Sequence, residues 1–133
     1  MEEKKISFKL SDREHTYVAQ TSYGELLVGE NGYRPMELVL VALAGCMGVD
    51  ISHILTKKRQ KVEDIRINVV GFRRDEHPRV YTKIKIDVGV VGKGISPKAV
   101  EDAVKLSLEK YCSVNAMLKN YVNIEVQWKV LNS

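Results

Sequence analysis

The sequence predicts an α+β fold with antiparallel sheet and a long helix buried in its middle, and three observations predict it. Segments with apolar residues at every second position stand near both ends of the chain. Between them lies one long, almost wholly apolar segment with the length of a helix. An amphipathic helical pattern then precedes the last strand. The 133 residues, 44% of them hydrophobic, are enough for one sizeable core, so we expect a single domain over residues 1–133.

The first thirty residues predict three short strands. Ile6, Phe8 and Leu10 alternate with polar residues, which is the period-two pattern of a half-buried strand. Polar and glycine-containing turns separate this segment from the two that follow, and Gly29 ends the last of them. The predicted strands cover residues 6–10, 15–20 and 25–28.

The next segment predicts a long helix that is apolar on every side. Pro35 suits its first turn, and nearly every residue from Met36 until Asp50 is apolar. Lys57 and Arg59 suit its C-terminus, where cations complement the helix dipole. One modest sheet covers only one face of such a helix, so we infer that it packs against a second copy of itself or another subunit. Small residues would let another backbone approach closely: Ala42, Ala44, Gly45, Cys46 and Gly48.

The second half of the chain predicts a hairpin, a helix and a closing strand. A turn at residues 75–78 joins the two strands of the hairpin. Ser96 and Pro97 are typical of an N-cap and a first helical position, and apolar residues then recur at helical spacing as far as Tyr111. A short helical piece follows over residues 112–119. The strands are predicted over residues 65–69, 80–90 and 122–130.

Charge and hydropathy exclude several classes of partner. The chain has 21 Lys and Arg residues against 17 Asp and Glu, and the two signs are interleaved. We therefore expect no nucleic-acid partner. The N-terminus lacks the apolar region of a signal peptide, and the longest apolar run, residues 38–49, is shorter than the roughly 20 residues of a membrane helix. We expect a cytoplasmic protein with no membrane partner.

The two cysteines, Cys46 and Cys112, lie 66 positions apart. No CxxC motif or Cys/His pair with zinc-ligand spacing is present, so we expect no structural metal site. In a reducing compartment a working thiol pair is a reasonable alternative to a structural disulfide. Cys46 is either a small packing residue within the apolar helix or a reactive thiol. Cys112 is predicted at the start of a helical turn, where free N–H groups lower a thiol pKa.

Asp50 and His53 follow Cys46 near the same face of the predicted helix. A Cys-Asp-His group suggests a metal site or an activated thiol, whereas polar residues just before a basic helix end are typical of a helix that leaves the core. We favour the second interpretation.

Three motifs resemble those of the OsmC/Ohr family, the osmotically inducible and organic hydroperoxide resistance proteins. They are Pro-Met-Glu-Leu at 35–38, Ala-Gly-Cys at 44–46, and Glu-Lys-Tyr-Cys-Ser-Val at 109–114. The resemblance extends over nearly the whole chain. It implies an intertwined homodimer whose long central helices are flanked by antiparallel sheets, in agreement with the inference from the apolar helix.

The resemblance also implies a thiol-dependent peroxidase. Cys46 would attack a small organic hydroperoxide and become a sulfenic acid, and Cys112 would condense with it to a disulfide. An external dithiol reductant would then restore both thiols. The resemblance implies no cofactor and no metal. Apolar walls from the central helix would favour alkyl hydroperoxides over hydrogen peroxide.

The chain departs from the family pattern directly after Pro35. Catalytic branches of the family place there a glutamate that holds an activating arginine, whereas this chain has Met36 and then Glu37. Successive helical side chains differ by about 100° in direction, so Glu37 is either a supporting residue or a favourable charge in the first helical turn. Arg13 and Arg34 are the candidates for the arginine, and each has an alternative interpretation as a solvated surface charge.

This departure leaves two further interpretations open. A thiol on an apolar helix has a raised pKa unless a cation or hydrogen-bond donors offset the desolvation. The alternative function is therefore a non-enzymatic module that binds a small apolar or thiol-reactive ligand in a pocket near Cys46. In the third interpretation both cysteines are packing residues, and the function of the protein does not involve them.

Overall fold

A computed structural model describes residues 1–133, which divide into two compact units, Met1–Val39 and Leu40–Ser133. Helices and two separate three-stranded sheets confirm the predicted α+β class. The prediction of a single domain stays a prediction. In chain order the elements are β1 Ser7–Leu10, β2 Thr16–Gln20, β3 Glu25–Gly29, α1 Pro35–Lys57, β4 Lys61–Arg73, β5 Tyr81–Lys93, α2 Pro97–Leu106, a π-helical turn Ser107–Tyr111, α3 Ser113–Leu118 and β6 Asn123–Asn132.

The first unit contains an antiparallel sheet in the order β1-β2-β3, so the three predicted N-terminal strands are confirmed. The expectation that the first of them is half-buried is wrong for a single copy of the chain, because all four side chains of β1 are exposed. Thr16 and Ala19 of the central strand β2 are the buried side chains of this sheet. Gly29 ends β3 with a φ of 143°, and a Cβ there would collide with the backbone of His15. Only glycine therefore allows β3 to approach the start of β2 this closely.

Helix α1 begins at Pro35 as predicted, with Glu37 in its first turn and Lys57 in its last. Two stripes of residues at four-residue spacing run along it. One stripe is fully buried and consists of Leu43, Met47, Ile51 and Leu55. The opposite stripe contains Val41 and Val49, which are 64% and 59% exposed. A single copy of the chain thus covers one side of this apolar helix and leaves the other side in solvent.

By length and composition α1 is able to cross a membrane, because it has 23 residues and a mean hydropathy of 2.0 over an 18-residue window. The sequence alone predicts no membrane helix, because the unbroken apolar run covers only residues 38–49. The helix itself is longer than that run, so the length of the run does not exclude a membrane span. Core helices of soluble proteins, which are mostly buried, meet the same two criteria, whereas 22% of this window of α1 is buried in a single copy of the chain.

The second unit is built on a sheet in the order β4-β5-β6, with β5 in the centre. The alternating apolar face of β5 is buried, namely Ile84, Ile86, Val88 and Val90. Strands β4 and β5 form the predicted antiparallel hairpin. The expectation of a wholly antiparallel sheet is corrected for β6, which pairs with β5 in parallel. The helical connection between them is long enough to carry the chain back and start β6 in the direction of β5.

The helical connection follows the predicted pattern with one change. Ser96 is the N-cap of α2, and its hydroxyl accepts a hydrogen bond from the Ala99 N–H at 3.2 Å. The predicted helix does extend to Tyr111, but its last five residues form a π-helical turn. This turn closes where the Cys112 N–H donates to the carbonyl of Ser107 at 2.7 Å, five residues earlier. Such turns are frequent at functional sites.

Candidate active site

The fold brings the two cysteines together. Cys46 lies in the middle of α1, and Cys112 lies between the π-helical turn and α3. The two Sγ atoms and a carboxylate oxygen of Asp50 all lie within 4.8 Å of one another. Both cysteines are free thiols. A disulfide bond is about 2.05 Å long, so a side-chain movement of a few ångströms would join the two sulfurs.

Cys112 is the buried member of the pair, with 2% of its surface exposed. Its Sγ caps α3 by accepting a hydrogen bond from the Asn115 N–H at 3.4 Å. Burial raises the pKa of the Cys112 thiol from its ordinary value of 9.0 to about 11, and the nearby Cys46 and Asp50 act in the same direction. The predicted position at the start of a helical turn is confirmed. The predicted lowering of its pKa is wrong, because desolvation outweighs the contribution of the Asn115 amide.

Cys46 is the more accessible thiol, because its side chain is only half-buried on α1. Asp50 follows one helical turn later on the same face and directs its carboxylate toward both sulfurs. The favoured interpretation of Asp50 as a residue where the helix leaves the core is therefore wrong. Asp50 belongs to the cluster because the π-helical turn and Cys112 pack beside this part of α1.

Ser107 holds the Asp50 carboxylate in place. Its fully buried hydroxyl donates to Asp50 Oδ2 at 2.9 Å. Its carbonyl accepts the Cys112 N–H, so the first residue of the π-helical turn contacts two members of the cluster. Sequence reasoning missed Ser107. The available signal was a serine in helical register with the apolar residues Val100 and Val104, where a polar side chain needs a buried partner.

Asn115 fixes the other side of Cys112. It is buried, and its side-chain amide donates to the carbonyl of Leu108 at 3.0 Å while its backbone N–H donates to the Cys112 sulfur. These two bonds tie the start of α3 to the π-helical turn. Cys112 is thus held between two anchored segments, which limits the positions that its sulfur adopts.

A groove with a volume of about 430 Å³ borders the cluster through Asp50. Its walls combine apolar, acidic and basic side chains: Asp50, His53, Ile54, Lys57, Lys58, Leu106 and Tyr111. The basic end of α1 therefore forms part of a cavity beside the thiols. Such a groove is large enough for a small molecule with an apolar body.

The three supporting candidates, Arg13, Arg34 and Glu37, all lie in the first unit and have exposed side chains. Arg13 donates from Nη1 to the carbonyl of Asn31 at 2.9 Å, which ties together two loops of that unit. Their catalytic roles stay a prediction. The cluster around the sulfurs in the second unit consists of other residues, Asp50, Ser107 and Asn115.

Comparisons with known proteins agree with the fold. Residues 28–127 match the family model described as OsmC-like protein. The chain is 38% identical over 121 residues to Protein YhfA of Escherichia coli (strain K12), with 87% of this chain and 90% of that protein covered. A hypothetical protein from Aquifex aeolicus VF5 has a solved structure that covers 100% of this chain and 99% of its own, with 48% identity and a TM-score of 0.96.

More distant structures share the fold. The Organic Hydroperoxide Resistance Protein OhrB of Bacillus subtilis is 16% identical, with a TM-score of 0.63 and coverage of 96% of this chain and 98% of that chain. At that identity the likeness concerns the fold alone.

Proposed function

The chain belongs to the OsmC-like protein family, and on that basis we propose that it is a thiol-dependent peroxidase that reduces small organic hydroperoxides with Cys46 and Cys112. Family membership supports a redox or hydroperoxide-related function. The observation that carries the finer proposal is the approach of two free thiols, 66 positions apart in sequence, to within 4.8 Å.

Accessibility supports this division of roles between the two thiols. Cys46 is half-buried and Cys112 is buried, so the peroxide meets Cys46 first. The Cys46 thiolate attacks the terminal peroxide oxygen, the O–O bond breaks, and the alkoxide leaves as the alcohol after it takes up a proton. Cys46 is then a sulfenic acid. Cys112 attacks its sulfur, the hydroxyl group leaves as water with the Cys112 proton, and an external dithiol reduces the disulfide that results.

The high pKa of Cys112 suits the second role. With a pKa of about 11, roughly one Cys112 in ten thousand is a thiolate at pH 7. Because the thiolate is the nucleophile, Cys112 is poorly suited to attack peroxide from solution, which favours the second role for it. Its attack on a sulfenic acid at Cys46 depends on the same small thiolate fraction, and the proximity of the two sulfurs compensates for it.

The groove beside Asp50 is the proposed site for the organic part of the substrate. Ile54, Leu106 and Tyr111 provide apolar contacts within a cavity of about 430 Å³. Hydrogen peroxide has no apolar group to bury there, so the groove favours an alkyl hydroperoxide.

We also propose that the working form is a cytoplasmic homodimer. The exposed stripe of α1, which contains Val41 and Val49, is the surface that a second copy would cover. An apolar helix left half in solvent gains stability when a partner buries its free side.

Counting free thiols after one equivalent of cumene hydroperoxide tests the peroxidase proposal. We expect the wild type to lose both thiols within minutes and Cys112→Ser to lose one, leaving a sulfenic acid that dimedone traps. Cys46→Ser should keep Cys112 reduced. A wild type that keeps both thiols over minutes would rule out the proposal for this protein.

A non-enzymatic binding module is the second candidate, and the groove of about 430 Å³ is the observation that favours it. Native mass spectrometry of the purified chain should then detect a bound small molecule that Cys46→Ala retains. Rapid loss of both thiols to the hydroperoxide, with no bound molecule, would exclude this candidate.

A further inference from the structure

The cluster that contains the two thiols is also a metal-ligand set. Cys46 Sγ, Cys112 Sγ and an Asp50 carboxylate oxygen lie within 4.8 Å of one another. In a tetrahedral zinc site, with metal–sulfur bonds of about 2.3 Å and metal–oxygen bonds of about 2.1 Å, the ligand atoms are roughly 3.6–3.8 Å apart. A contraction of at most about 1 Å would therefore close these three atoms around an ion.

We propose that Cys46, Asp50 and Cys112 together bind one thiophilic divalent cation, such as Zn²⁺, when both thiols are reduced. Two thiolates and one carboxylate favour Zn²⁺ or Cd²⁺ over Mg²⁺ and Ca²⁺, which prefer oxygen ligands. Three protein ligands leave a fourth tetrahedral position for water. That number is typical of zinc sites with an open position rather than of closed structural sites.

The residues around the cluster already orient the ligands. The Ser107 hydroxyl donates to Asp50 Oδ2 at 2.9 Å, which fixes the orientation of the carboxylate beside the two sulfurs. The Asn115 N–H donates to the Cys112 sulfur at 3.4 Å. Hydrogen bonds of this kind, made by groups behind the ligands, accompany most protein metal sites and strengthen them.

The ligands come from different parts of the chain, which explains why sequence spacing gave no sign of the site. Cys46 and Asp50 are one helical turn apart on α1, and Cys112 follows the π-helical turn. The ion would enter beside Cys46, which is half-buried, or along the groove that Asp50 lines.

Metal binding and disulfide formation exclude each other, because both need the same two sulfur atoms. The metal-loaded protein should therefore keep its thiols when hydroperoxide or an alkylating reagent is added. The disulfide form should not bind the ion. Metal binding would thus protect or inhibit the thiol pair, and the binding itself requires no peroxidase activity.

Titration of the reduced full-length chain with CdCl₂ tests the proposal, with the ultraviolet thiolate-to-cadmium band and calorimetry as readouts. We expect one equivalent to bind, with loss of tight binding in Cys46→Ser and Cys112→Ser. Asp50→Asn should weaken binding roughly 10- to 100-fold, and Ser107→Ala should weaken it less. Asp64→Asn is the matched control, because the Asp64 carboxylate pairs with Arg66 on β4, and it should bind as the wild type does.

Two results would overturn the proposal. The first is the absence of a charge-transfer band at one equivalent in the wild type, with both thiols shown to be reduced. The second is binding that Asp50→Asn and Cys46→Ser leave unchanged, which would indicate an adventitious ion only. Thiol loss to hydroperoxide in the presence of a chelator is measured separately, so failure of the metal site and failure of the peroxidase proposal are distinguishable.

Discussion

At the scale of single residues, the chemistry depends on how Asp50 and Cys112 are held. Ser107 contacts both, through its hydroxyl and its carbonyl. A negatively charged acceptor inside a partly buried cluster needs such a donor, because its desolvation is otherwise uncompensated. The sequence gives no direct sign of this arrangement, since Ser107 meets Asp50 only after α2 and the π-helical turn pack beside α1.

Ser107→Ala should destabilise the protein by about 1–3 kcal/mol, because it leaves the Asp50 carboxylate without its buried donor. Urea unfolding of the reduced protein measures this change. Ser22→Ala, in an exposed turn, is the control and should change stability by less than about 0.5 kcal/mol. Equal stabilities of the two variants would contradict a structural role for the Ser107 hydroxyl.

The raised pKa of Cys112 predicts a loss of stability at alkaline pH. Below pH 9 the thiol is neutral in the folded and unfolded chain, so its contribution is fully present. Between pH 9 and about 11 the unfolded chain loses the proton first, and the free energy of unfolding falls. The expected loss from this thiol is about 1–3 kcal/mol.

Urea unfolding at pH 8 and pH 11 measures that loss under reducing conditions. Cys112→Ala lacks the thiol and should therefore lose less stability than the wild type over the same interval. Lysine and tyrosine titration affects both proteins alike and cancels in the comparison. Parallel pH dependence in the two proteins would contradict the raised pKa.

At the scale of elements, sequence patterns predicted the order of the strands and helices, and the errors concern features that tertiary contacts determine. The strand predicted over residues 65–69, for example, extends over Lys61–Arg73 because it pairs with β5 along its whole length. Alternation identified β4 and β5, but pattern alone does not set the direction in which β6 pairs. Helical periodicity predicted the helix as far as Tyr111, but it did not predict the π-helical turn, which depends on the hydrogen bond from the Cys112 N–H to the Ser107 carbonyl. Local signals such as the cap at Ser96 were read correctly, because capping involves only neighbouring residues.

The Ser96 cap supplies a prediction for α2, the helix that leads into the π-helical turn. Ser96→Ala removes the acceptor for the Ala99 N–H and should cost about 1 kcal/mol of stability. Ser96→Asp keeps an acceptor and should stay within a few tenths of a kcal/mol of the wild type. Thermal unfolding compares the three proteins. A Ser96→Asp variant as unstable as Ser96→Ala would show that the side-chain cap is not what stabilises this end of α2.

At the scale of the whole molecule, a single copy of the chain leaves helix α1 incompletely covered. The apolar pattern predicted a helix covered on every side, and one copy of the chain buries only one stripe of it. The remaining stripe has Gly45 between Val41 and Val49 at four-residue spacing, so another backbone has room to approach. Sequence alone could not separate the covered stripe from the free one, because both are apolar.

The dimer proposal therefore predicts a solution mass of twice 15.1 kDa at micromolar concentration. The double variant Val41→Glu with Val49→Glu should shift the mass toward 15.1 kDa, because two buried carboxylates without partners cost several kcal/mol. Tyr23→Glu, in a fully exposed turn, is the control and should keep the wild-type mass. Light scattering coupled to size exclusion measures all three. A monomeric wild type would contradict the dimer, and a double variant that stays dimeric would show that this stripe of α1 is not the interface.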